Sequence, residues 1–230
     1  MDSKIIPDTS MIMAFRYKGN VLRMEGDRKE HLPASVITGL RRSARLLTFT
    51  KETANLLVIF KEGGIAAFSK VPAHELFGYS IGAENVFLSS ELNEICERLS
   101  EAASNRERID IVTAFLLKHL VNDKKNTLIC GAIQLIKQQN GTIRIKDLAD
   151  SLHISQDPFE KRFRTLVGAT PKQYASIIRL RNLISNYASY SSLTEASYEA
   201  GYFDQSHFIK DFRMFTGQTP GDFFKSPLYW

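Results

Sequence analysis

Two short stretches hold the residues best suited to chemistry, and they lie forty-nine positions apart. "SQDPFEKRFR" (155–164) carries Gln156, Asp157, Glu160, Lys161 and Arg164, and "DQSHFIKDFR" (204–213) carries Gln205, Ser206, His207, Lys210 and Arg213. Neither set reads as a catalytic centre, because no nucleophile motif, phosphate-cradling glycine loop or paired carboxylate site is visible. What these side chains share is the ability to hydrogen-bond to nucleic acid. Glutamine pairs with adenine, lysine meets guanine O6 and N7 or a phosphate, and a carboxylate accepts from cytosine N4. These ten are the candidate DNA-binding residues. The five histidines, His31, His74, His119, His153 and His207, form no cluster with metal-ligand spacing, so neither a metal nor any other cofactor is expected.

The elements that must position the ten are themselves duplicated. Laying 155–174 over 204–223 gives eight identities in twenty positions: Gln156/Gln205, Phe159/Phe208, Lys161/Lys210, Phe163/Phe212, Arg164/Arg213, Gly168/Gly217, Thr170/Thr219 and Pro171/Pro220. A period of this length marks a supersecondary unit used more than once. Each copy reads as a short helix, a turn, and an amphipathic second helix. In the first, "IKDLADSLHIS" leads into "QDPFEKRFRTLV", with Phe159, Phe163 and Leu166 on one face and Ser155 as the expected N-cap. In the second, "LTEASYEA" leads through Gly201 into "DQSHFIKDFRMFT" (204–216). Before the turn the copies register at an offset of 48 and after it at 49, so the second turn is one residue longer, and Gly201 is the expected place to absorb it. A helix-turn-helix lays its second helix in a DNA major groove. Gly168 and Gly217 are expected to end these helices in the left-handed conformation, with Pro171 and Pro220 starting the next ones. Between the copies, a helix of about sixteen residues from Pro171 would span roughly 24 Å. Successive major grooves on one face of DNA lie about 34 Å apart, within reach of two units on a single chain.

The first 70 residues are written differently. "MIMAFRYKGNVLRM" (11–24) reads as two strands around a hairpin turn at Lys18-Gly19-Asn20. "ARLLTF" and "NLLVIF" follow, Gly63-Gly64 interrupts, "IAAFSKV" resumes the β-prone pattern, and "PAHELF" opens a helical turn. Two helical patterns close this half, with Leu92, Ile95, Cys96 and Leu99, then Ile111, Phe115, Leu116 and Leu120, at helical spacing. They suit either packing on the sheet or a dimer helix pair. "VNDKKN" (121–126) is polar and charged and is the expected linker.

Composition bounds the class. The chain has 230 residues, 43% hydrophobic and 24% charged, a soluble composition that suits one large or two ordinary domains. No apolar run reaches the length of a bilayer span, and the start does not read as a secretory signal. Cys96 and Cys130 match no metal or redox spacing, which suits two reduced thiols in a cytoplasmic protein. A net charge of +5 permits an acidic partner, but 127–230 carries 12 Lys/Arg against 9 Asp/Glu and 1–126 carries 18 against 16. Placement of charge, not its bulk, must decide the function.

Residues 127–226 resemble the DNA-binding domain of the AraC (arabinose regulator) family of bacterial transcription factors. The resemblance is carried by "IRIKDLADSLHIS", "FEKRFRTLVGATPKQYASIIRLRNLI" and "EASYEAGYFDQSHFIKDFRMFTGQTPGDFF". The strand-rich part resembles the cupin-like or β-sandwich domains attached to many such regulators, and "LLVIFKEGGIAAFSKVPAHEL" resembles one poorly understood branch of them. The resemblance implies double-stranded DNA and RNA polymerase as partners. It leaves a small-molecule effector and a homodimer open. The expected fold is α+β: a β-rich sensor or assembly domain with trailing helices over 1–126, and an all-α domain of two helix-turn-helix units over 127–230. The expected function is sequence-specific transcription regulation, not enzymatic. The alternatives are a small-molecule-binding module or a cupin-type enzyme with an appended DNA-binding domain.

Overall fold

A computed structural model describes residues 1–26, 28–121 and 126–225, so most of the expected linker lies outside the described residues. The first half is built on two antiparallel four-stranded sheets. One orders β1 (Asp2–Ile5), β6 (Arg45–Phe49), β3 (Val21–Glu25) and β4 (Arg28–His31) as β1-β6-β3-β4. The other orders β7 (Ala54–Ile59), β2 (Ile12–Lys18), β5 (Ser35–Thr38) and β8 (Ser80–Gly82) as β7-β2-β5-β8.

The expected hairpin at Lys18-Gly19-Asn20 does not form. β2 pairs with β5 and β7, whereas β3 pairs with β4 and β6, so the turn carries the chain from one sheet to the other. The turn at 50–53 clamps this crossing: the Asn20 N–H donates to Thr50 Oγ1 at 2.7 Å, and Thr53 Oγ1 donates to the Asn20 carbonyl at 3.0 Å. Gly19, at φ 68°, lies so close to Thr53 that a Cβ there would sit 2.7 Å from its Cα. Nor does "IAAFSKV" resume a strand. Gly63 adopts φ 75° and turns the chain into a 3-10 helix over Gly64–Ala67, which buries Ile65 instead of continuing a strand. A second 3-10 turn over Ala73–Leu76 follows Pro72 as expected.

Alternation divides the second sheet cleanly. Met13, Phe15 and Ile37 are fully buried on one face, where helices α1 (Ser89–Glu101) and α2 (Asn105–Lys118) cover them. Phe15 meets Phe115 of α2 edge-on, with ring centroids 5.9 Å apart. On the other face Ile12, Ala14, Val36 and Leu57 line a cavity of about 200 Å³ between the sheets, opposite Leu47 and Phe49. Leu120, expected to share the buried face of the second helix, is exposed just beyond its end.

Seven α-helices and a 3-10 turn over Tyr187–Ser189 make the rest of the described chain: α3 (Thr127–Gln138), α4 (Ile145–Ser151), α5 (Gln156–Val167), α6 (Pro171–Ser185), α7 (Leu193–Glu199), α8 (Gln205–Thr216) and α9 (Pro220–Lys225). Their apolar faces fall where the periodicity puts them, with Ile129, Ala132, Ile133 and Ile136 buried on α3. Leu166 is half-buried, and Val167 takes the inner position on α5. Thr170 and Gln173 form a reciprocal capping box at the start of α6, with Pro171 at the first position.

Buried side chains gather into two clusters. One joins the covered sheet and α1–α2 to α3, α4 and α5, including Phe15, Phe115, Ile133, Phe159 and Phe163. The other gathers Ile177, Leu180 and Leu183 of α6 with Ala196, Phe208, Phe212 and Phe223, and also takes in Ile6 from beyond the end of β1. The first helix-turn-helix thus shares a continuous interior with the β-rich part, across the division at 126/127. The second hangs on the linker helix.

Candidate nucleic-acid interface

α4 and α5 form the first helix-turn-helix, and α7 and α8 the second. Within each second helix the phenylalanines point inward: Phe159, Phe163, Phe208 and Phe212 are all fully buried. Because 3.6 residues make a turn, burying positions i and i+4 forces the intervening polar positions outward. Gln156, Asp157, Lys161 and Arg164 of α5 are exposed and Glu160 is half-buried, while Gln205, Ser206, His207, Lys210 and Arg213 of α8 are all exposed. The structure thus brings each set of five onto the outer side of one helix. Ser206, Lys210 and Arg213 line a single shallow depression with Ile209 and Met214.

The two faces differ in how their polar groups are engaged. On α5 the Gln156 side-chain amide donates to Glu160 at 2.7 Å, so the two satisfy each other along the helix. On α8 a support lies beneath His207. Its Nε2 is 3.6 Å from Asp211, whose carboxylate also accepts from the Tyr202 hydroxyl at 3.3 Å. Arg179 of α6 stacks over the Tyr202 ring at 4.2 Å from its centroid. Burial pushes the Tyr202 hydroxyl up to about 12, opposed by the charge of Arg179 and aided by that of Asp211. Lys161, Arg164, Lys210 and Arg213 have no ion pair among the described residues, leaving four cations facing solvent.

The helix starts differ too. Ser155 occupies the N-cap of α5, but its side chain makes no capping hydrogen bond, contrary to expectation. Of the two N–H groups such a cap can use, that of Asp157 is not engaged by it, and Pro158, three residues on, has none to offer. In the second unit Asp204 caps α8, accepting from the His207 N–H at 2.7 Å. Both helices end on left-handed glycines, Gly168 at φ 92° and Gly217 at φ 75°.

The extra residue of the second turn is not Gly201. His153 (φ 53°) and Gly201 (φ 72°) take the same left-handed position. The following residues match as well, Ile154 N–H donating to the Ala149 carbonyl at 3.1 Å and Tyr202 N–H to the Ser197 carbonyl at 3.0 Å. Ile154 is then followed at once by the N-cap Ser155, whereas Phe203 intervenes between Tyr202 and Asp204. Phe203 is 95% exposed. The change of offset from 48 to 49 signals an insertion, and only the backbone shows which residue it is.

The β-rich part offers a different kind of site. Arg41 and Arg45 are among the residues lining the cavity between the sheets. Arg41 donates to the carbonyls of Ile5 and Ile6, both at 3.2 Å, yet its Nε is buried without a hydrogen-bond partner. Burial, reinforced by repulsion from Arg45, pulls its pKa down to about 10. Among the described residues no three His, Cys, Asp or Glu side chains are grouped to hold a metal. No described helix is long and apolar enough to cross a membrane.

Residues 148–226 match a family described as a helix-turn-helix domain. Over 145 residues the chain is 26% identical to the Msm operon regulatory protein of Streptococcus mutans serotype c, a match covering 60% of this chain and 51% of that protein. The chain thus spans about half the length of the curated relative it matches. Among solved structures it is similar to an apo variant of ToxT from Vibrio cholerae strain SCE256, with a TM-score of 0.49 and 13% identity over 97% of this chain and 92% of that one. The C-terminal domain of AraT, a response regulator from Geobacillus stearothermophilus, aligns with a TM-score of 0.42 and 16% identity over 46% of this chain and 90% of that one.

Proposed function

With residues 148–226 an AraC-type helix-turn-helix domain, we propose that this chain is a sequence-specific transcription regulator that lays α5 and α8 into successive major grooves of one duplex. The observation that carries the reading is the pair of matched outer faces, each with two cations without an ion pair among the described residues, set over a buried phenylalanine pair. Free cations on a groove-sized helix answer the phosphate backbone, and the glutamines that begin each helix answer base edges. Gln156, Asp157, Glu160, Lys161 and Arg164 are the proposed contacts of the first unit; Gln205, Ser206, His207, Lys210 and Arg213 are those of the second. The division into 1–126 and 127–230 belongs to the same proposal, as do cytoplasmic action, contact with RNA polymerase and assembly as a homodimer.

Selection of bound sequences from a random duplex pool, followed by titration against salt, tests the reading. A preferred site with a steep salt dependence is the expected result. Binding indifferent to sequence would reduce the chain to a charged surface.

A second role is supported by the cavity of the first half. Its walls are mostly apolar, and the buried, unpartnered Nε of Arg41 is a donor without an acceptor. A buried donor of this kind costs about 1–3 kcal/mol unless satisfied. A small ligand with an apolar body and a carboxylate or other acceptor fits both features and would act as the effector. A thermal-shift screen of amphipathic carboxylates, repeated on Arg41→Met, checks this: stabilisation of the wild type alone is the expected outcome.

A further inference from the structure

We infer that Phe203 reads the 5-methyl group of a thymine at the second half of the bound site. The inference rests on the DNA-reading function proposed above and adds a residue and a base to it. A single exposed apolar side chain is ordinary on a protein surface. Phe203 is not ordinary in its origin. The two turns match in their left-handed residue and in the backbone hydrogen bonds donated by His153 and Ile154, repeated by Gly201 and Tyr202, and Phe203 is the one residue added before the helix begins. The residues on both sides are used by the fold: Tyr202 is 3% exposed in the second cluster, and Asp204 caps α8. Phe203 itself is 95% exposed and has no aromatic partner among the described residues. The fold therefore gives its ring no packing role.

Its position does point to an occupant. The N-terminal residues of a recognition helix are those that approach base edges. Phe203 directly precedes Asp204, Gln205 and Ser206, all exposed, at the start of the helix whose outer side carries Lys210 and Arg213. The cations of that face suit a polyanion, and the apolar feature that a major groove presents is the thymine methyl, which phenylalanine is suited to contact. The first unit has no counterpart, since Ile154 packs against the first cluster. Thymine discrimination of this kind therefore belongs to the second half-site alone.

The test uses the full chain and the duplex it selects from a random pool. Each thymine is replaced singly by deoxyuridine, which removes only the methyl. One replacement in the half-site read by α8 is expected to weaken wild-type binding about fourfold, the effect of exposing one methyl-sized group. Phe203→Ala should lose a similar factor on the thymine site and bind both versions of it equally, while Phe203→Leu should recover part of the methyl dependence. Unchanged melting temperatures would place the effect at the contact. If the wild type tolerates every replacement, or if Phe203→Ala remains sensitive at the same thymine, the assignment fails although DNA reading stands. A Phe203→Ala variant with normal DNA affinity but altered sedimentation would assign the ring to a protein contact and overturn it equally. A pool that yields no preferred site removes both this inference and the function beneath it.

Discussion

Lys161 and Lys210 occupy matched places opposite buried phenylalanines, and this makes them the plainest electrostatic pair in the molecule. Neutralising both to glutamine should weaken binding and flatten its salt slope by about two units, because each lysine displaces about one counterion. An unchanged slope in the folded double variant would remove both from the interface. The acidic residues separate the two units. Asp157 and Glu160 suit the positive end of a helix dipole but repel phosphate, and Glu160 already accepts from Gln156. Gln205 and His207 carry no such repulsion. Gln205→Ala/His207→Ala is therefore expected to cost more affinity than Asp157→Ala/Glu160→Ala, measured on the selected duplex and on scrambled DNA. That these side chains face outward was legible because the buried phenylalanine stripe leaves the rest of each helix to solvent, while their contacts with DNA are what is proposed. Phe203 was not, because an alignment gap can be slid by two residues without changing the identities.

Among the elements, α5 and α8 end on glycines that play one local role in two different settings. Gly217 at φ 75° has only Lys4 Nζ near the place of a Cβ, at 3.9 Å. Its replacement by alanine should cost about 1–2 kcal/mol, the strain of a left-handed non-glycine residue. Gly168 at φ 92° sits against the β-rich part, where a Cβ would lie 2.2 Å from Met11 Cε and 3.0 Å from the Ala73 carbonyl oxygen. Gly168→Ala should cost distinctly more, read as a larger fall in melting temperature. Equal falls would mean that the contact with Met11 and Ala73 yields freely. The helices were legible because a 3.6-residue period names its own buried face. Strand pairing was not, since alternation in β2 and β3 says that each is half-buried without saying in which sheet. The loop that misled is the one at Gly19, where a hairpin composition serves a crossing between sheets.

Across the whole molecule, Glu62 joins the two halves. Its carboxylate accepts from Lys137 of α3 at 2.5 Å, from the Tyr174 hydroxyl of α6 at 3.1 Å and from Thr9 at 3.4 Å. Burial alone would raise its pKa, but the hydrogen bonds and charge of Lys137 hold it below the usual carboxylate range. Burial, with the charge of Glu62, pushes the Tyr174 hydroxyl upward. A carboxylate depressed in the folded state stabilises above its unfolded pKa, and that contribution is lost as pH falls through the folded value. Glu62→Gln should therefore destabilise by about 1 kcal/mol at neutral pH, a figure reduced because Lys137 is partly exposed to solvent. The gap between variant and wild type should close as pH falls below about 4.5. A gap that persists in acid would assign the effect to packing. The same continuity bears on residues 127–230 expressed alone. Their helices keep their own apolar faces, but the side of α5 that meets the two 3-10 turns is uncovered. The fragment is expected to fold with a lower melting temperature than the full chain. Loss of all cooperative melting would mean that the halves cannot be separated.

Ile6 belongs to a cluster whose other members run from Ile177 to Phe223, and Arg181 holds the adjoining segment through the Pro7 carbonyl at 3.2 Å and Asp8 at 3.4 Å. On the ribosome this isoleucine is made well ahead of its partners, which run from Ile177 to Phe223. At about 5–20 residues per second the interval is roughly 10–40 seconds. Within that time β1 can pair with β6 as soon as β6 emerges, and the first helix-turn-helix can pack once α5 has followed, while Ile6 stays exposed. A nascent chain from which α5 has emerged but α8 has not would hold one finished helix-turn-helix and an unfilled apolar anchor for the other, so emergence of α8 and Phe223, not collapse of the sheets, sets when the second unit closes.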